Sequence, residues 1–450
     1  MSNGEPATTG RGGRLKRNAV WQAVLQLTVA FSGLYTMRLL DPSTYGLWGS
    51  VVASQGMIAD LTALWSGQTT IKLLSAFLQQ EEWHKAAAVV RLSYWIDIST
   101  GALVWLLLIV LAPWLAGRLL DDPALVGQVR LFGAATLARA PHFVAMPVLQ
   151  ARDRYATIFW IGLLCALGRL AGVVILGWLP VERRLSALVE LNIGLYALQS
   201  LLSWRQARSA LAHLPWVPYD RRMFRLLDGH WREFWSTLLS SNLVSRVGTF
   251  TRDVDIVLIS AWFGPAATGL FASAKRTAGL LDSLTQAVQM AISPEFGRLW
   301  GAGRYEQARR LLRRACLALA LGCGALAACS LLALGPLVRA FLPKYVPSLP
   351  AMQILIVVRM TMVAAAPFYT FLVSTHQPMR TVTVYTLIGA AQIGALALVM
   401  KVFTAPHAEA STIALHATVA SVVAVVVNVG LHLHHVRQVL RDAHQRERLD

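Results

Sequence analysis

The chain has 450 residues, of which 56% are hydrophobic and only 14% are charged, against roughly 25% charged residues in an ordinary soluble domain. That balance argues against a water-soluble enzyme. Lys and Arg number 41 against 23 Asp and Glu, a net charge of +18, which leaves nucleic acid, an anionic membrane face and an anionic substrate open until the charges are placed along the chain.

The N-terminal residues 1–18 are polar and end in the cluster Arg11, Arg14, Lys16, Arg17. No short apolar stretch with a small-residue cleavage site follows, so a removable signal peptide is not expected. Beyond residue 18 the apolar residues gather in runs of about 20, the length a helix needs to cross a hydrocarbon layer of roughly 30 Å. Twelve spans are predicted, over 19–38, 44–71, 92–116, 125–149, 155–178, 186–204, 235–262, 267–294, 312–334, 351–375, 381–402 and 411–433. The fold class is all-α integral membrane. Residues 1–18 form a tail, 19–204 and 235–433 form two six-helix lobes, and 434–450 a second tail. The connection 205–234 contains Pro215 and Pro218 and then an amphipathic stretch over 221–235 suited to a membrane surface.

With the N-terminus inside, about 26 of the 41 basic residues fall on cytoplasmic segments and about 8 on the opposite side. Both termini are therefore expected in the cytoplasm. This placement accounts for most of the positive charge without nucleic acid, and the remaining basic residues lie inside the spans.

An internal repeat organises the helices. Pro42-x-x-x-Gly46-Leu47-Trp48-x-Ser50 matches Pro265-x-x-x-Gly269-Leu270-Phe271-x-Ser273, half a chain later. Further landmarks keep nearly the same offset: Trp83-x-x-Ala86 with Arg91 and Tyr305-x-x-Ala308 with Arg313; Leu111-x-Pro113 and Leu334-x-Pro336; Ala140-Pro141 and Ala366-Pro367. An even number of spans per half makes the halves parallel, as in transporters that rock two bundles around a central cavity.

Residues for covalent chemistry do not assemble into a motif. Cys165, Cys316, Cys323 and Cys329 lie in apolar spans without ligand spacing and read as small hydrophobes. His432, His434 and His435 read as a polar helix end, so neither a metal nor a catalytic residue is expected. The informative residues are ionisable groups inside the spans, each of which is costly unless it lines a wet path or finds a partner. They are Arg139, Arg169, Arg246, Arg252, Lys275, Arg276 and Arg359, with Asp60, Asp97, Glu190, Asp253, Asp255 and Asp282. The repeat acts as a control: Arg246, Arg252, Asp255, Lys275 and Arg276 align with Ala23, Val29, Ser32, Val52 and Ala53, while Arg139 and Arg359 align with Ala365 and Gly133. Charges set asymmetrically on a shared scaffold suit an anion such as phosphate or pyrophosphate held by forked Arg hydrogen bonds. The alternative is structural: Arg246 and Arg252 paired with Asp253 or Asp255, and Lys275 and Arg276 snorkelling to an interface. Asp41-Pro42 and Gly264-Pro265 read as turns that end helices.

The run Arg38-Leu39-Leu40-Asp41-Pro42-x-x-Tyr45-Gly46-Leu47 resembles the first-loop signature of bacterial oligosaccharide flippases, the polysaccharide exporters of the multidrug/oligosaccharidyl-lipid/polysaccharide superfamily. A second block is similar: Asp255, Phe263-Gly264-Pro265, Gly269-Leu270-Phe271, Ala274 and Pro294-Glu295-Phe296. Arg38, Asp60 and Asp255 match charged positions typical of the family. Leu61-Thr62-Ala63 departs from the usual Leu-Gly-Leu, and Ser260 stands where Gly is frequent. The resemblance implies a bacterial inner-membrane transporter, not an enzyme. Its implied substrate is an undecaprenyl-pyrophosphate-linked oligosaccharide for O-antigen, capsule or exopolysaccharide, moved by alternating access, without a cofactor and with coupling to an H+ or Na+ gradient. Implied partners are the lipid-linked glycan, membrane lipids, a polysaccharide polymerase and a chain-length regulator. The expected head-group contacts are Arg38, Arg139, Arg246, Arg252, Lys275, Arg276 and Arg359, with Asp60 and Asp255 as charge partners or ion-coupling groups. Two other readings stay open: an ion-coupled extrusion transporter for another substrate, and a non-catalytic membrane component of a polysaccharide assembly complex.

Overall fold

The computed structural model describes residues 8–446 except 121, 216, 281–291, 293–294, 375–377 and 404–407. The described residues are nearly all helical and contain no strand. The helices are α1 (Thr8–Leu39), α2 (Pro42–Thr62), α3 (Gly67–Gln79), α4 (Trp83–Trp114), α5 (Val126–Ala151), α6 (Tyr155–Leu176) and α7 (Val181–Ala210), then the short α8 (Arg221–Leu226) and α9 (Trp231–Gly279). They continue with α10 (Tyr305–Phe341), α11 (Leu349–Ser374), α12 (Pro378–Phe403) and α13 (Ala410–Arg446). Seven of the described helical stretches, among them Tyr155–Leu176, Asp253–Gly279 and Tyr305–Phe341, are long and apolar enough to cross a membrane. Their exposed residues are large and apolar, as with Trp160, Leu164, Leu321 and Leu332, which is the surface a lipid-facing helix presents. The chain is a multi-pass membrane protein.

The landmarks of the repeat fall on equivalent elements. Trp83 opens α4 and Tyr305 opens α10, and each follows by two residues a left-handed residue, Glu81 (φ 58°) and Gly303 (φ 69°). Pro113 and Pro336 lie inside α4 and α10, and Pro141 and Pro367 inside α5 and α11.

The chain divides into two compact units: Met1–Thr36 with Thr62–Val110 and Arg130–Asn242, and Met37–Leu61 with Leu111–Val129 and Leu243–Asp450. The first unit is cored by Leu73, Leu74 and Phe77 of α3, the run Ala86–Val90 with Leu92 and Ile96 of α4, and Val144, Ala145 and Val148 of α5. Met223, Leu227 and Phe234 join the same core, so the apolar side of the connecting segment is packed on protein. Gly229 (φ 85°) turns the chain between α8 and α9, within the amphipathic stretch over 221–235.

The expected span 44–71 is also divided, because residues 63–66 leave the helix between α2 and α3. Backbone groups freed at membrane depth must find partners within the protein. Here side chains supply them. Asn242 accepts from Trp65 N–H at 2.9 Å and donates Nδ2–H to Trp65 C=O at 2.9 Å, while Asp97 Oδ1 accepts from Ser66 N–H at 2.9 Å.

In the second unit the two copies of the Pro-x-x-x-Gly motif meet. A Cβ on Gly46 would stand 1.9 Å from the Pro265 carbonyl oxygen, and a Cβ on Gly269 would stand 1.7 Å from the Pro42 carbonyl oxygen. The contact is reciprocal, residue for residue, as a local two-fold crossing requires. Glycine at both positions lets the backbones of α2 and the 265–279 arm of α9 approach closely, as small residues do at membrane helix crossings. Tyr345 closes over this region, its ring edge-on to Tyr45 with centroids 6.0 Å apart and its hydroxyl donating to Leu40 C=O at 3.4 Å.

The two motifs turn the chain by different means. Asp41 caps α2 ahead of Pro42: Oδ2 accepts from Thr44 N–H at 3.1 Å and from the Ser43 hydroxyl, and Oδ1 accepts from the Thr44 hydroxyl at 2.8 Å, an N-cap arrangement. Burial pushes the Asp41 carboxyl upward, but these hydrogen bonds outweigh it and hold it down at about 2. In the second repeat Gly264 takes φ 77°, ψ −176° and breaks α9 into two arms.

Candidate functional site

Within the second unit the structure gathers two oppositely charged pairs. Asp255, on the 231–263 arm of α9, is buried, and its Oδ1 accepts from Lys275 Nζ at 2.6 Å, with the two side chains 5% and 12% exposed. Oδ1 also accepts from Ile256 N–H at 2.8 Å, and Oδ2 accepts from Gln392 Nε2–H of α12 at 3.1 Å. Lys275 comes from the other arm of α9, so the break at Gly264 is what folds an acid and a base 20 residues apart onto each other. Phe271 adds a ring face 5.9 Å from the ammonium. The buried charges are thus neutralised as a pair and satisfied by hydrogen bonds, the condition under which an ion pair persists in a low-dielectric interior.

The second pair is Arg246 and Asp60, which interact electrostatically. Arg246 also donates from Nη1 to Leu61 C=O at 3.4 Å. Asp255 and Arg246, which could have served each other along one helix, are each found with a group from another helix segment, Lys275 for Asp255 and Asp60 for Arg246. Arg276 is half-buried and makes no hydrogen bond or ion pair with a described residue. Arg359 is half-buried on α11, with Nη1 4.0 Å from Met362 Sδ. Arg38 is exposed in the last turn of α1, where a cation complements the helix dipole. Arg252 belongs to α9, and its side chain, like Asp282, lies outside the described residues.

Arg139 belongs to the first unit, on α5. Its guanidinium lies over two rings, 4.6 Å from the centroid of Tyr196 and 5.1 Å from that of Phe143. The buried Nε has no hydrogen-bond partner among the described residues, and Arg139 forms no ion pair with a described carboxylate. Aromatic faces hold the plane of the guanidinium while leaving its N–H edge for a planar or tetrahedral anion. The sequence offered Arg139 as a head-group contact but not its aromatic bed, and Tyr196 comes from a helix, α7, that the sequence did not single out.

Two participants were not apparent from the sequence as site residues: Gln392, a lone amide in an apolar span, and Asn242, which braces the 63–66 break. Polar side chains inside apolar runs are the signal that marks both.

The fold is that of MATE transporters. A multidrug resistance MATE family transporter of the MOP superfamily in an inward-facing conformation superposes with a TM-score of 0.74 at 13% identity, covering 93% of this chain and 99% of that one. A point variant of the Vibrio cholerae MATE transporter VcmN follows with a TM-score of 0.64 at 15% identity, covering 94% and 98%, and a MATE transporter in a bent conformation gives 0.59 at 12% identity, covering 95% and 97%. None of the curated proteins matches this sequence. Residues 36–342 match the family described as polysaccharide biosynthesis protein, and the chain belongs to that family.

Proposed function

We propose that the chain is a flippase that carries an undecaprenyl-pyrophosphate-linked oligosaccharide from the cytoplasmic to the periplasmic leaflet of the bacterial inner membrane, for surface polysaccharide assembly. It works by alternating access, draws on an ion gradient, and keeps both termini in the cytoplasm. The observation that carries the substrate assignment is Arg139, half-buried on α5 within the span predicted over 125–149, stacked on Tyr196 and Phe143 and not paired with a described carboxylate, in a member of a polysaccharide biosynthesis family. A pyrophosphate offers the acceptor oxygens such a fork fits. In the second unit Arg38, Arg246, Arg276 and Arg359 are the further candidate head-group contacts, with Arg252 a candidate by sequence position alone, while Lys275 is paired with Asp255.

Reconstitution with a labelled lipid-linked oligosaccharide tests this reading. Wild-type protein accelerates its movement between leaflets; Arg139→Ala, confirmed to be inserted and stable, loses that acceleration, and Arg139→Lys restores little because an ammonium lacks the planar fork. Full activity of Arg139→Ala would overturn the head-group assignment. The likeness to multidrug transporters favours a second reading, export of another substrate. Extrusion of organic cations by the wild type, with no effect on the lipid-linked glycan, would select it. A non-catalytic role in an assembly complex would show as loss of polymer in cells with no transport by the purified chain.

A further inference from the structure

The first unit holds a carboxylate of another kind. Asp97, at the middle of α4, is 0% exposed. Ser66 of the 63–66 break supplies its amide at 2.9 Å and its hydroxyl. Its second oxygen, Oδ2, is buried and accepts no hydrogen bond from a described residue. No Lys, Arg or His among the described residues forms an ion pair with it. Its neighbours are the apolar core at Leu92 and Ile96 and a closed set of hydroxyls, in which Thr70 Oγ1 meets Ser93 Oγ at 2.8 Å and Ser66 C=O at 2.9 Å. Among the described residues the titratable group that interacts with Asp97 is Tyr94, one turn earlier on α4, whose buried hydroxyl also has no described partner. Tyr94 in turn interacts with Tyr219, more than half exposed and stacked on Arg91 with the guanidinium 5.1 Å from the ring centroid.

A bare carboxylate in this position bears the desolvation cost of a charge with no compensating cation. Binding one proton at Oδ2 removes the charge and converts the oxygen from an orphaned acceptor to a donor. A proton needs no ligand beyond this one oxygen, whereas a sodium ion needs several, and Oδ2 has no hydrogen-bond partner among the described residues. We propose that Asp97 is a proton-binding site of this transporter, which takes a proton from hydronium on one side of the membrane and returns it to water on the other. The polar chain Tyr219, Tyr94, Asp97 leads from an exposed side chain to the buried one. Asp255 and Asp60 are poorer carriers, because neutralising either leaves Lys275 or Arg246 without its counter-charge. The site lies at the junction of α2 and α3, so its charge state acts directly on the backbone break through Ser66.

The proposal rests on the reading of the chain as an ion-coupled transporter, and two measurements separate the two. Infrared difference spectroscopy of the full-length protein in liposomes reads the carbonyl stretch of a buried carboxylic acid. That band is expected to vanish as pH rises, to be absent from Asp97→Asn, and to be insensitive to sodium. Asn keeps the acceptor for Ser66 N–H, so the variant folds. A band unchanged in Asp97→Asn, or one displaced by sodium and not by pH, overturns the assignment. Transport of the lipid-linked oligosaccharide under an imposed pH gradient is the second measurement. The gradient accelerates the wild type several-fold and does not accelerate Asp97→Asn, which still equilibrates substrate; equal acceleration of both overturns the proposal. If the wild type moves no lipid-linked glycan under any gradient, the flippase reading fails while the infrared titration still decides the proton site.

Discussion

Two features of the second unit treat the internal repeat in opposite ways. At the crossing of α2 with the second arm of α9, both repeats contribute the same residues, and Gly46 and Gly269 each face the other's proline carbonyl. At the Asp255–Lys275 pair only one repeat contributes, and the aligned positions of the other hold Ser32 and Val52. Where the repeats agree, backbone approach sets the requirement; where they differ, the scaffold is already provided for and the side chains are free to serve chemistry. Asp97 follows the second pattern, since the offset between Arg91 and Arg313 places it opposite Leu319.

Substitutions can break that contrast, and the crossing should give the largest effect. Gly46→Val and Gly269→Val each drive a Cβ to within 1.9 Å and 1.7 Å of a carbonyl oxygen, which no side-chain rotation relieves. Both are expected to abolish the folded monodisperse protein on size-exclusion chromatography, and to do so equally. A normal Gly46→Val beside a ruined Gly269→Val would show that the contact is not reciprocal.

The charged pair should respond unequally across the repeat. Lys275→Met leaves Asp255 buried without its cation and is expected to cost about 3–5 kcal/mol, and Asp255→Asn in the same chain should recover most of it. The aligned Val52→Met should cost less than about 1.5 kcal/mol, as volume-tolerant apolar exchanges do. Denaturation in detergent measures all three, and equal losses at Val52 and Lys275 would remove the distinction.

What the sequence made legible follows the same division. The repeat, the helical class and the two helix-ending turns were readable because Pro and Gly act locally on the backbone. The break at 63–66 was not, since Ala63-Leu64-Trp65-Ser66 carries no breaker and is held open by Asp97 and Asn242 from distant helices. The charged residues were legible as a set, but their pairing was not: Asp255 could be matched to Arg246 or Arg252 by helical spacing, and only the fold-back at Gly264 delivers Lys275 instead. The aromatic bed of Arg139 depended in the same way on α7 packing beside α5.

The equivalent turns give smaller effects that differ in kind. Gly264 sits at φ 77°, ψ −176°, a region closed to residues with a Cβ, so Gly264→Ala is expected to cost about 1–3 kcal/mol, read as a lower melting temperature independent of pH.

Asp41, the aligned residue, works through its charge. Asp41→Ala removes the acceptor for the Thr44 amide and the Ser43 and Thr44 hydroxyls and is expected to cost about 0.5–2 kcal/mol. Because the folded carboxyl is held down at about 2, below the roughly 4 of an aspartate in an unfolded chain, its contribution is complete above that unfolded value. It falls away as pH drops from there through the folded one, since the unfolded chain then takes up the proton first. The stability difference between wild type and Asp41→Ala should therefore shrink between about pH 4 and pH 2, whereas the deficit of Gly264→Ala should stay level over the same interval. A gap that stays constant for Asp41→Ala would mean that the turn is held by Pro42 alone and that the two repeats close it by the same backbone means.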